Sequence, residues 1–214
     1  MRILGLTGGI AMGKSKAARQ LRRMGLPLHD ADAAIHRLYA PGGAALAAVA
    51  RCFPQAIVAG RIDRQRLGRE VFGKPVALKE LERILHPLVR RQTLDFLQRH
   101  ARRGTALVVL DIPLLFETGG EAFCDYVVTV SAPPFLQRQR ALRRPGMTPA
   151  KLAAILTRQT PDRVKRRRSD YVVPTGLGYG FALRHLRQAV RLAGKAPSRA
   201  WPPGPRQLRR LKGR

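Results

Sequence analysis

A glycine-rich stretch near the start of the chain, GLTGGIAMGKSK at residues 5–16, limits the possible folds more than any other feature. Residues 8–15 match the pattern G-x-x-x-x-G-K-[ST], in which backbone N–H groups of a loop surround phosphate groups. The apolar run at residues 3–6 predicts a buried strand before the loop, and apolar positions recur at helical spacing over residues 14–24. A strand, a phosphate loop and a helix in this order predict an α/β fold with a parallel sheet.

The residue types in this loop suit a nucleotide and a magnesium ion. Glycines let the backbone curl, Lys14 reaches the β- and γ-phosphates, and the Ser15 hydroxyl coordinates Mg²⁺. A glycine-rich turn with an accidental Lys-Ser pair is the alternative, but the position between a strand and a helix favours nucleotide binding. The predicted nucleotide contacts are Gly8, Gly9, Ala11, Met12, Gly13, Lys14, Ser15 and Lys16, with Ser15 as the metal ligand.

Further along the chain, helical patterns separate more runs with the composition of buried strands. Residues 26–29 form a plausible second strand, and the β-branched runs at 106–113 and 126–130 are followed by a short run at 171–173. Strands that alternate with helices form a parallel sheet covered on both faces. The long helical stretch from about 33 to 103 is therefore interpreted as an insertion into this fold.

The charge of the chain is strongly unbalanced, with 41 Lys and Arg against 13 Asp and Glu and a formal net charge of +28. Such a field attracts polyanions, including nucleic acid. Residues 137–168 contain eleven basic residues and one acidic residue, and residues 195–214 contain seven basic residues, four prolines and no acidic residue. Because the last stretch lacks the apolar content to offset its ordering entropy, we predict a disordered, basic, Pro-rich tail over 195–214 after a single domain over 1–194.

The sequence also indicates a compartment. No apolar run approaches the roughly 18 residues that a membrane span needs, and the apolar start is followed by Gly-Lys-Ser rather than a cleavage site. The chain has two cysteines, Cys52 and Cys124, far apart in sequence, which argues against a disulfide framework. We predict a cytoplasmic protein without membrane association.

Two carboxylates follow the predicted second strand, at Asp30 and Asp32. A carboxylate at the end of a strand beside the loop can accept the proton of an attacking hydroxyl group or hold a metal-bound water. Asp is also a good N-cap of a helix, so one of the two could have only that role. We expect one cap and one catalytic group, with Asp32 as the catalytic one.

Taken together, the motifs resemble the dephospho-CoA kinase family. They are GLTGGIAMGKS, DAD at 30–32 with Arg37 beyond it, HPLVR at 86–90, DIPLLFE at 111–117, Gln137 and Arg140 before a basic helix, and SDYVV at 169–173. The resemblance runs from residue 1 to about 192. It implies a parallel-sheet P-loop kinase core flanked by helices, with an inserted helical substrate domain at about 33–103 and a basic helical lid at about 138–168. The implied reaction is ATP-dependent phosphorylation of the ribose 3′-hydroxyl of dephospho-CoA, the last step of coenzyme A synthesis.

The resemblance also implies roles for single residues. The loop would hold ATP and Mg²⁺, Asp32 would be the base toward the 3′-hydroxyl, and Arg140 would start the lid over the transferring phosphate. Dephospho-CoA would meet His86 and Arg90 in the inserted domain and Arg37 near its anionic groups. Asp111 and Glu117 would line the cleft where the third strand ends.

Each of these roles has a plainer alternative. His86-Pro87 could simply start a helix, because proline is common in the first turn. Asp111 lies between Leu110 and Ile112 and would be unfavourable to bury without a partner, which favours a magnesium or hydrogen-bonding role. The basic residues of 138–168 could form a solvated face. We expect Arg140 and Arg144 alone to touch phosphate and the rest to lie on the surface.

The chain departs from the family pattern in three places. Lys16 stands where a hydroxyl residue is usual. It could offer charge to the α-phosphate, or it could simply point into solvent, which is the simpler interpretation. Thr175 stands where an Asn near the adenine is common, and the basic tail has no counterpart.

Two other functions are compatible with the loop. One is a small-metabolite kinase of the shikimate or gluconate type, against which the long insertion and the HPLVR and DIPLLFE motifs argue. The other is a nucleic-acid-binding P-loop protein, which the net charge and the possible non-specific polyanion binding of the tail favour. The chain has no aromatic-rich recognition strand and no zinc-ligand spacing to support that second function.

Overall fold

The computed structural model describes residues 1–204 and has a five-stranded sheet at its centre. Clustering of the described residues gives two units, Met1–His29 with His100–Gly204 and, separately, Asp30–Arg99. The strands are β1 (Arg2–Thr7), β2 (Leu28–Asp30), β3 (Ile57–Val58), β4 (Arg61–Ile62), β5 (Leu107–Asp111), β6 (Tyr126–Ser131) and β7 (Tyr171–Pro174). The helices are α1 (Lys14–Arg23), α2 (Ala31–Leu38), α3 (Leu46–Cys52), α4 (Arg64–Val71), α5 (Pro75–Arg102), α6 (Pro134–Leu142), α7 (Pro149–Arg158), α8 (Asp162–Arg168) and α9 (Tyr179–Ala193).

The central sheet has the strand order β2-β5-β1-β6-β7. β1 pairs in parallel with β5 on one side and β6 on the other, and β6 pairs in parallel with β7. All five residues of β5 are buried, as expected for a strand covered on both faces. The prediction of an α/β fold with a parallel sheet is confirmed, and the carboxyl ends of β1, β5 and β6 lie at one edge, where ligands of such sheets bind.

Helices α1 and α9 pack together on the sheet of the first unit. The apolar positions of α1 (Ala17, Ala18, Leu21) and of α9 (Leu186, Ala189, Ala193) lie in one core with Leu4 and Leu6 of β1, Val109 of β5 and Val128 of β6. This burial accounts for the helical spacing of apolar residues that predicted α1.

The second unit, Asp30–Arg99, is mostly helical and has its own core. Leu38, Val49, Phe53, Leu81 and Leu85 are among its buried members. A short antiparallel pair, β3 with β4, interrupts the helices inside the stretch of about 33–103 that the sequence predicted to be helical. Ala59 and Gly60 both have positive φ, 48° and 72°, which is the backbone of a type I′ hairpin turn.

The position of Pro87 in helix α5 excludes one interpretation of the sequence. Pro87 lies inside this 28-residue helix and not in its first turn, so the interpretation of His86-Pro87 as a helix start is wrong. A proline inside a helix removes one i→i−4 hydrogen bond, a penalty that burial of Leu81, Leu85, Leu94 and Leu97 along the same helix offsets.

The beginning of the basic tail differs from the prediction of disorder. Arg2 Nε donates to the carbonyl of Ala196 at 2.6 Å, and the Ser198 hydroxyl donates to the carbonyl of Met1 at 2.8 Å. The carboxylate of Asp125 accepts from the backbone N–H groups of Arg199 and Ala200. These bonds to Met1, to Arg2 of β1 and to Asp125 hold residues 196–200 in place despite their low apolar content. The rest of the predicted tail, 205–214, lies outside the described residues.

A search of residues 1–204 for a helix long and apolar enough to cross a membrane finds none.

Candidate active site

The phosphate loop follows β1 and leads into α1, as predicted. Gly13 is the N-cap of α1 with φ of 101°, and Ala11 has φ of 60°, so the loop turns through two left-handed residues. A Cβ added at Gly8 would lie 2.4 Å from Val130 Cγ2 and 2.8 Å from the Val130 carbonyl oxygen, so only glycine fits there. Helix α1 has no side-chain cap and no acidic residue in its first turn. The N–H groups of Lys14 and Ser15, its first two residues, are therefore available to an anion, and the residues present fit a phosphate chain.

Lys14 is paired with the carboxylate that ends β5. Its Nζ lies 2.7 Å from Asp111 Oδ1, and the side chains are 14% and 3% exposed. The sequence predicted that buried Asp111 would need a partner, and the partner is the lysine of the phosphate loop. The parallel register places Asp111 opposite Leu6 near the end of β1, and the loop that follows β1 brings Lys14 to Asp111. The pair fixes the Lys14 ammonium at the loop.

Met12 anchors the floor of the loop instead of facing the ligand space. Its side chain is 1% exposed in the main core, and its sulfur accepts the backbone N–H of Ala132 at 3.1 Å. Its carbonyl accepts the Thr175 hydroxyl at 2.7 Å. The Arg140 guanidinium in turn donates to the Thr175 carbonyl at 2.9 Å and to its hydroxyl at 3.3 Å. Arg140, Thr175 and the loop therefore form one connected chain of hydrogen bonds.

Two glutamines hold the peptide groups on either side of Ile10, the third residue of the loop. Gln159 Oε1 accepts the N–H of Ile10 at 2.9 Å, and Gln137 Nε2 donates to its carbonyl at 3.0 Å. Ala11, the next residue, is buried with Ala141 of α6 and Leu152 of α7. These contacts join α6 and α7, in the region predicted to form the lid, directly to the loop.

The glutamine contacts lead to a prediction for ATP binding. Replacing Gln159 with alanine should weaken ATP affinity by about 2–10-fold, because the loss of one hydrogen bond to Ile10 is worth about 0.5–1.5 kcal/mol. Isothermal titration with ATP measures this. Thr157→Ala is the matched control, since Thr157 lies two residues away and its hydroxyl donates only within α7, to the Ala154 carbonyl. Unchanged affinity in Gln159→Ala would show that loop geometry does not depend on this contact.

Glu117 is engaged by a buried lysine. Lys165 Nζ, on a side chain with no exposed surface, lies 2.9 Å from Glu117 Oε1, and the backbone N–H of Thr160 donates to the same oxygen at 2.7 Å. Burial alone would raise the pKa of Glu117, but these hydrogen bonds outweigh it and hold the pKa below its usual value. Lys165 corrects the expectation that the basic residues of 138–168 other than Arg140 and Arg144 lie on the surface. A buried ammonium needs an anion, and Glu117 supplies it.

The remaining predicted residues of the first unit face solvent. Ser15, Lys16 and Arg144 are exposed. Exposure of Ser15 and Lys16 at the start of α1 leaves both side chains accessible to a ligand. Among residues 1–204, no group of three or more His, Cys, Asp or Glu side chains could hold a metal ion.

In the second unit, the two carboxylates of the DAD motif have different roles. Asp30 is the N-cap of α2, and its carboxylate accepts the N–H of Ala33 at 3.0 Å. Asp32 lies in the first turn of the same helix with its side chain exposed. The prediction that one of the two carboxylates caps a helix is therefore confirmed for Asp30. The catalytic role of Asp32 stays a prediction.

The other predicted acceptor residues lie on α2 and α5. The Arg37 guanidinium donates to Gln92 Oε1 at 3.4 Å, which connects α2 to α5. His86 and Arg90 are four residues apart in α5 and thus lie on the same side of the helix. His86 is exposed and Arg90 is half-buried. Arg37, His86 and Arg90 therefore belong to one helix pair of the second unit.

Three residues of the site make contacts that the sequence did not predict. Gln159 and Lys165 carry no clear signal, and Thr175 was noted only as a departure from the family pattern near the adenine. No local spacing predicts their contacts to the loop or to Glu117, because their partners lie more than forty residues away in the chain. The one sequence feature that distinguishes Gln159 is weak: it is an uncharged side chain next to a strongly basic helical region.

The chain is similar to known proteins along almost its whole length. A family model described as dephospho-CoA kinase matches residues 2–176. A relative of that description from Rhodospirillum rubrum is 54% identical over 208 residues, which cover 97% of this chain and 98% of the relative. Another from Paramagnetospirillum magneticum is 60% identical over 166 residues, which cover 78% of each chain.

Solved structures have the same fold. The crystal structure of TT1252 from Thermus thermophilus superposes with a TM-score of 0.79 at 37% identity, over 89% of this chain and 96% of that one. A dephospho-CoA kinase from Campylobacter jejuni superposes with a TM-score of 0.64 at 21% identity, over 91% of this chain and 98% of that one. The second likeness supports the fold.

Proposed function

The chain belongs to the dephospho-CoA kinase family, and from that premise we propose how its residues transfer the γ-phosphoryl group of ATP to the ribose 3′-hydroxyl of dephospho-CoA. The observation that carries the proposal is the phosphate loop with an uncapped helix start and with Lys14 fixed by Asp111. Both features suit a triphosphate and serve no purpose in a glycine-rich turn that binds nothing.

ATP binds at the loop in this proposal. The backbone N–H groups at residues 13–16 take the phosphate oxygens, and the Lys14 ammonium takes the β- and γ-phosphates. Met12 and Thr175 hold the loop from below, so their contribution is to its shape. Lys16 lies in the first turn of α1, where an anion on the loop would favour its positive charge.

Asp32 is the proposed base. As the 3′-hydroxyl oxygen of dephospho-CoA forms its bond to the γ-phosphorus, the hydroxyl proton moves to the Asp32 carboxylate, and the bond between the γ-phosphorus and the bridging oxygen breaks to release ADP. Arg37, His86 and Arg90 are proposed to bind the anionic groups of dephospho-CoA. The helix pair α2–α5 that carries them is the proposed acceptor-binding part of the chain.

Negative charge on the transferring group is neutralised by cations in this proposal. Arg140 would exchange its hydrogen bonds to Thr175 for hydrogen bonds to the phosphoryl oxygens, and Arg144 would be a second contact of the phosphoryl group. Mg²⁺, held by the Ser15 hydroxyl and the phosphates, would neutralise charge on the leaving group. Asp111 positions the Lys14 ammonium at the loop. Glu117 binds Lys165 and the N–H of Thr160, the residue after Gln159, and so helps to hold the contact of Gln159 with the loop.

The proposed setting is the cytoplasm, where ATP and reduced cysteines are found. The basic tail, residues 195–214, is proposed to add weak, non-specific affinity for polyanions.

The function is tested by ATP turnover with dephospho-CoA, shikimate or gluconate as acceptor. Turnover with dephospho-CoA alone is expected, and turnover with shikimate or gluconate alone would assign the chain to another kinase type.

A further inference from the structure

The outer faces of α1 and α9 form a strongly basic surface that phosphoryl transfer does not use. We propose that this surface binds the phosphate backbone of nucleic acid without sequence preference. We call it the α1–α9 basic face. Its members are the exposed residues Arg19, Arg22, Arg23, Arg184, Arg187, Arg191 and Lys195.

The two helices present their cations on one side of the molecule. α1 and α9 pack against each other, and the apolar positions of both are buried in one core below them. The opposite sides of both helices must therefore face solvent together. Neither helix contains an acidic residue, so no i,i+4 ion pair neutralises any of these cations within its own helix.

Acidic residues elsewhere in the first unit have other partners. Met1–His29 and His100–Gly204 contain 24 Lys and Arg but only six Asp and Glu. Asp111 pairs with Lys14, Glu117 with Lys165, and Glu121 with Arg168. Asp125 and Asp170 accept backbone N–H groups of Ile3 and Val127, and Asp162 accepts the Ser131 hydroxyl. Each of the six carboxylates is thus engaged by at least one group outside the α1–α9 basic face, and positive charge dominates that face.

The chemistry of the face suits phosphodiesters. Six of its seven members are arginines, whose planar guanidinium groups pair with phosphate oxygens in a bidentate manner. Arg184, Arg187, Arg191 and Lys195 follow one side of α9 at spacings of three and four residues. Lys195 lies two residues beyond the end of α9, so the three arginines on the helix span about 10 Å at 1.5 Å per residue, which consecutive phosphates of a strand can follow.

A nucleic acid fits this face better than a lipid bilayer does. Helices that bind membranes place large apolar side chains beside their cations. Apart from Tyr179 at the start of α9, neither helix exposes a large apolar side chain. The apolar sides of both helices are committed to the core, so phosphate contacts are the means of binding that remains.

The test is fluorescence anisotropy of the full chain with a labelled single-stranded oligonucleotide of about 20 nucleotides, across about 50–200 mM salt. The variant Arg184→Gln/Arg187→Gln/Arg191→Gln removes three cations from the face. It should bind about 10–100-fold more weakly at 0.1 M salt, and the slope of log K against log salt should fall by about 2. Turnover with dephospho-CoA should stay at the wild-type level, because these arginines lie outside the proposed catalytic groups.

The matched control is Arg51→Gln/Arg61→Gln/Lys79→Gln, which removes the same charge from exposed positions of the second unit. It should keep the wild-type slope. Equal weakening in both variants would overturn the proposal, since binding would then follow net charge and not the face. Wild-type affinity in the face variant would also overturn it, because binding would then depend on other residues of the chain. Binding to phosphatidylserine vesicles but not to the oligonucleotide would replace nucleic acid with a membrane surface as the partner.

Discussion

Replacing Lys14 with methionine is expected to lower kcat with dephospho-CoA by at least about 10²–10³-fold, the loss typical of one preorganised group that stabilises transition-state charge. The same change should also destabilise the fold. Asp111 is 2% exposed, and without Lys14 its buried carboxylate loses its cation. Removing one partner of a buried ion pair typically costs about 3–5 kcal/mol. Steady-state kinetics and urea unfolding measure the two effects.

A second variant separates catalysis from stability. In Lys14→Met/Asp111→Asn both charges are absent, so the stability lost in the single variant should return in large part. Activity should not return, because no cation is left for the β- and γ-phosphates. A double variant that regains both stability and kcat would show that Lys14 acts only as the partner of Asp111.

Replacing Asp32 with asparagine is expected to reduce kcat by about 10²–10⁴-fold, the usual contribution of a positioned general base. Affinity for ATP should stay close to the wild-type value, because the proposed contacts of ATP are with the loop. Rapid-quench measurement of ADP formation with dephospho-CoA, together with ATP titration, gives both quantities. Asparagine keeps the size of the side chain and removes its ability to take a proton.

The matched control for Asp32 is Asp30→Asn. Asp30 caps α2 through Ala33, and asparagine is an N-cap of similar strength, so this variant should fold and should retain most of its kcat. A large loss of kcat in Asp30→Asn with wild-type kcat in Asp32→Asn would reverse the assignment of the two carboxylates. Wild-type kcat in Asp32→Asn would by itself remove Asp32 as the base.

The parts of the site that could be predicted from the sequence depend on local pattern. The loop, its Lys14 and the helix that follows form one continuous segment whose residue types each have a physical reason. The need of Asp111 for a partner was predictable because a charge between Leu110 and Ile112 in a β-branched run must be buried. The identity of that partner depends on the register between β1 and β5, which the pattern of a single strand does not contain.

The parts that could not be predicted depend on contacts between distant segments. Gln159 and Thr175 look like ordinary polar residues until the fold brings them to Ile10 and Met12. In the sequence, Lys165 is indistinguishable from the other cations of a basic helix. Its burial depends on the position of Glu117, which the fold brings next to its ammonium group. Composition alone gave the wrong expectation for the start of the tail, because Asp125, Arg2 of β1 and the carbonyl of Met1 hold residues 196–200 by hydrogen bonds.

The most direct test of the proposed reaction is identification of the product that the wild-type chain makes from ATP, Mg²⁺ and dephospho-CoA. Mass spectrometry and ³¹P NMR should show ADP and coenzyme A in equal amounts, with the new phosphate on the ribose 3′-oxygen. An analogue that lacks the 3′-hydroxyl should give no phosphorylated product. ADP formation that does not depend on dephospho-CoA, or a phosphate at another oxygen, would contradict the proposed phosphoryl transfer.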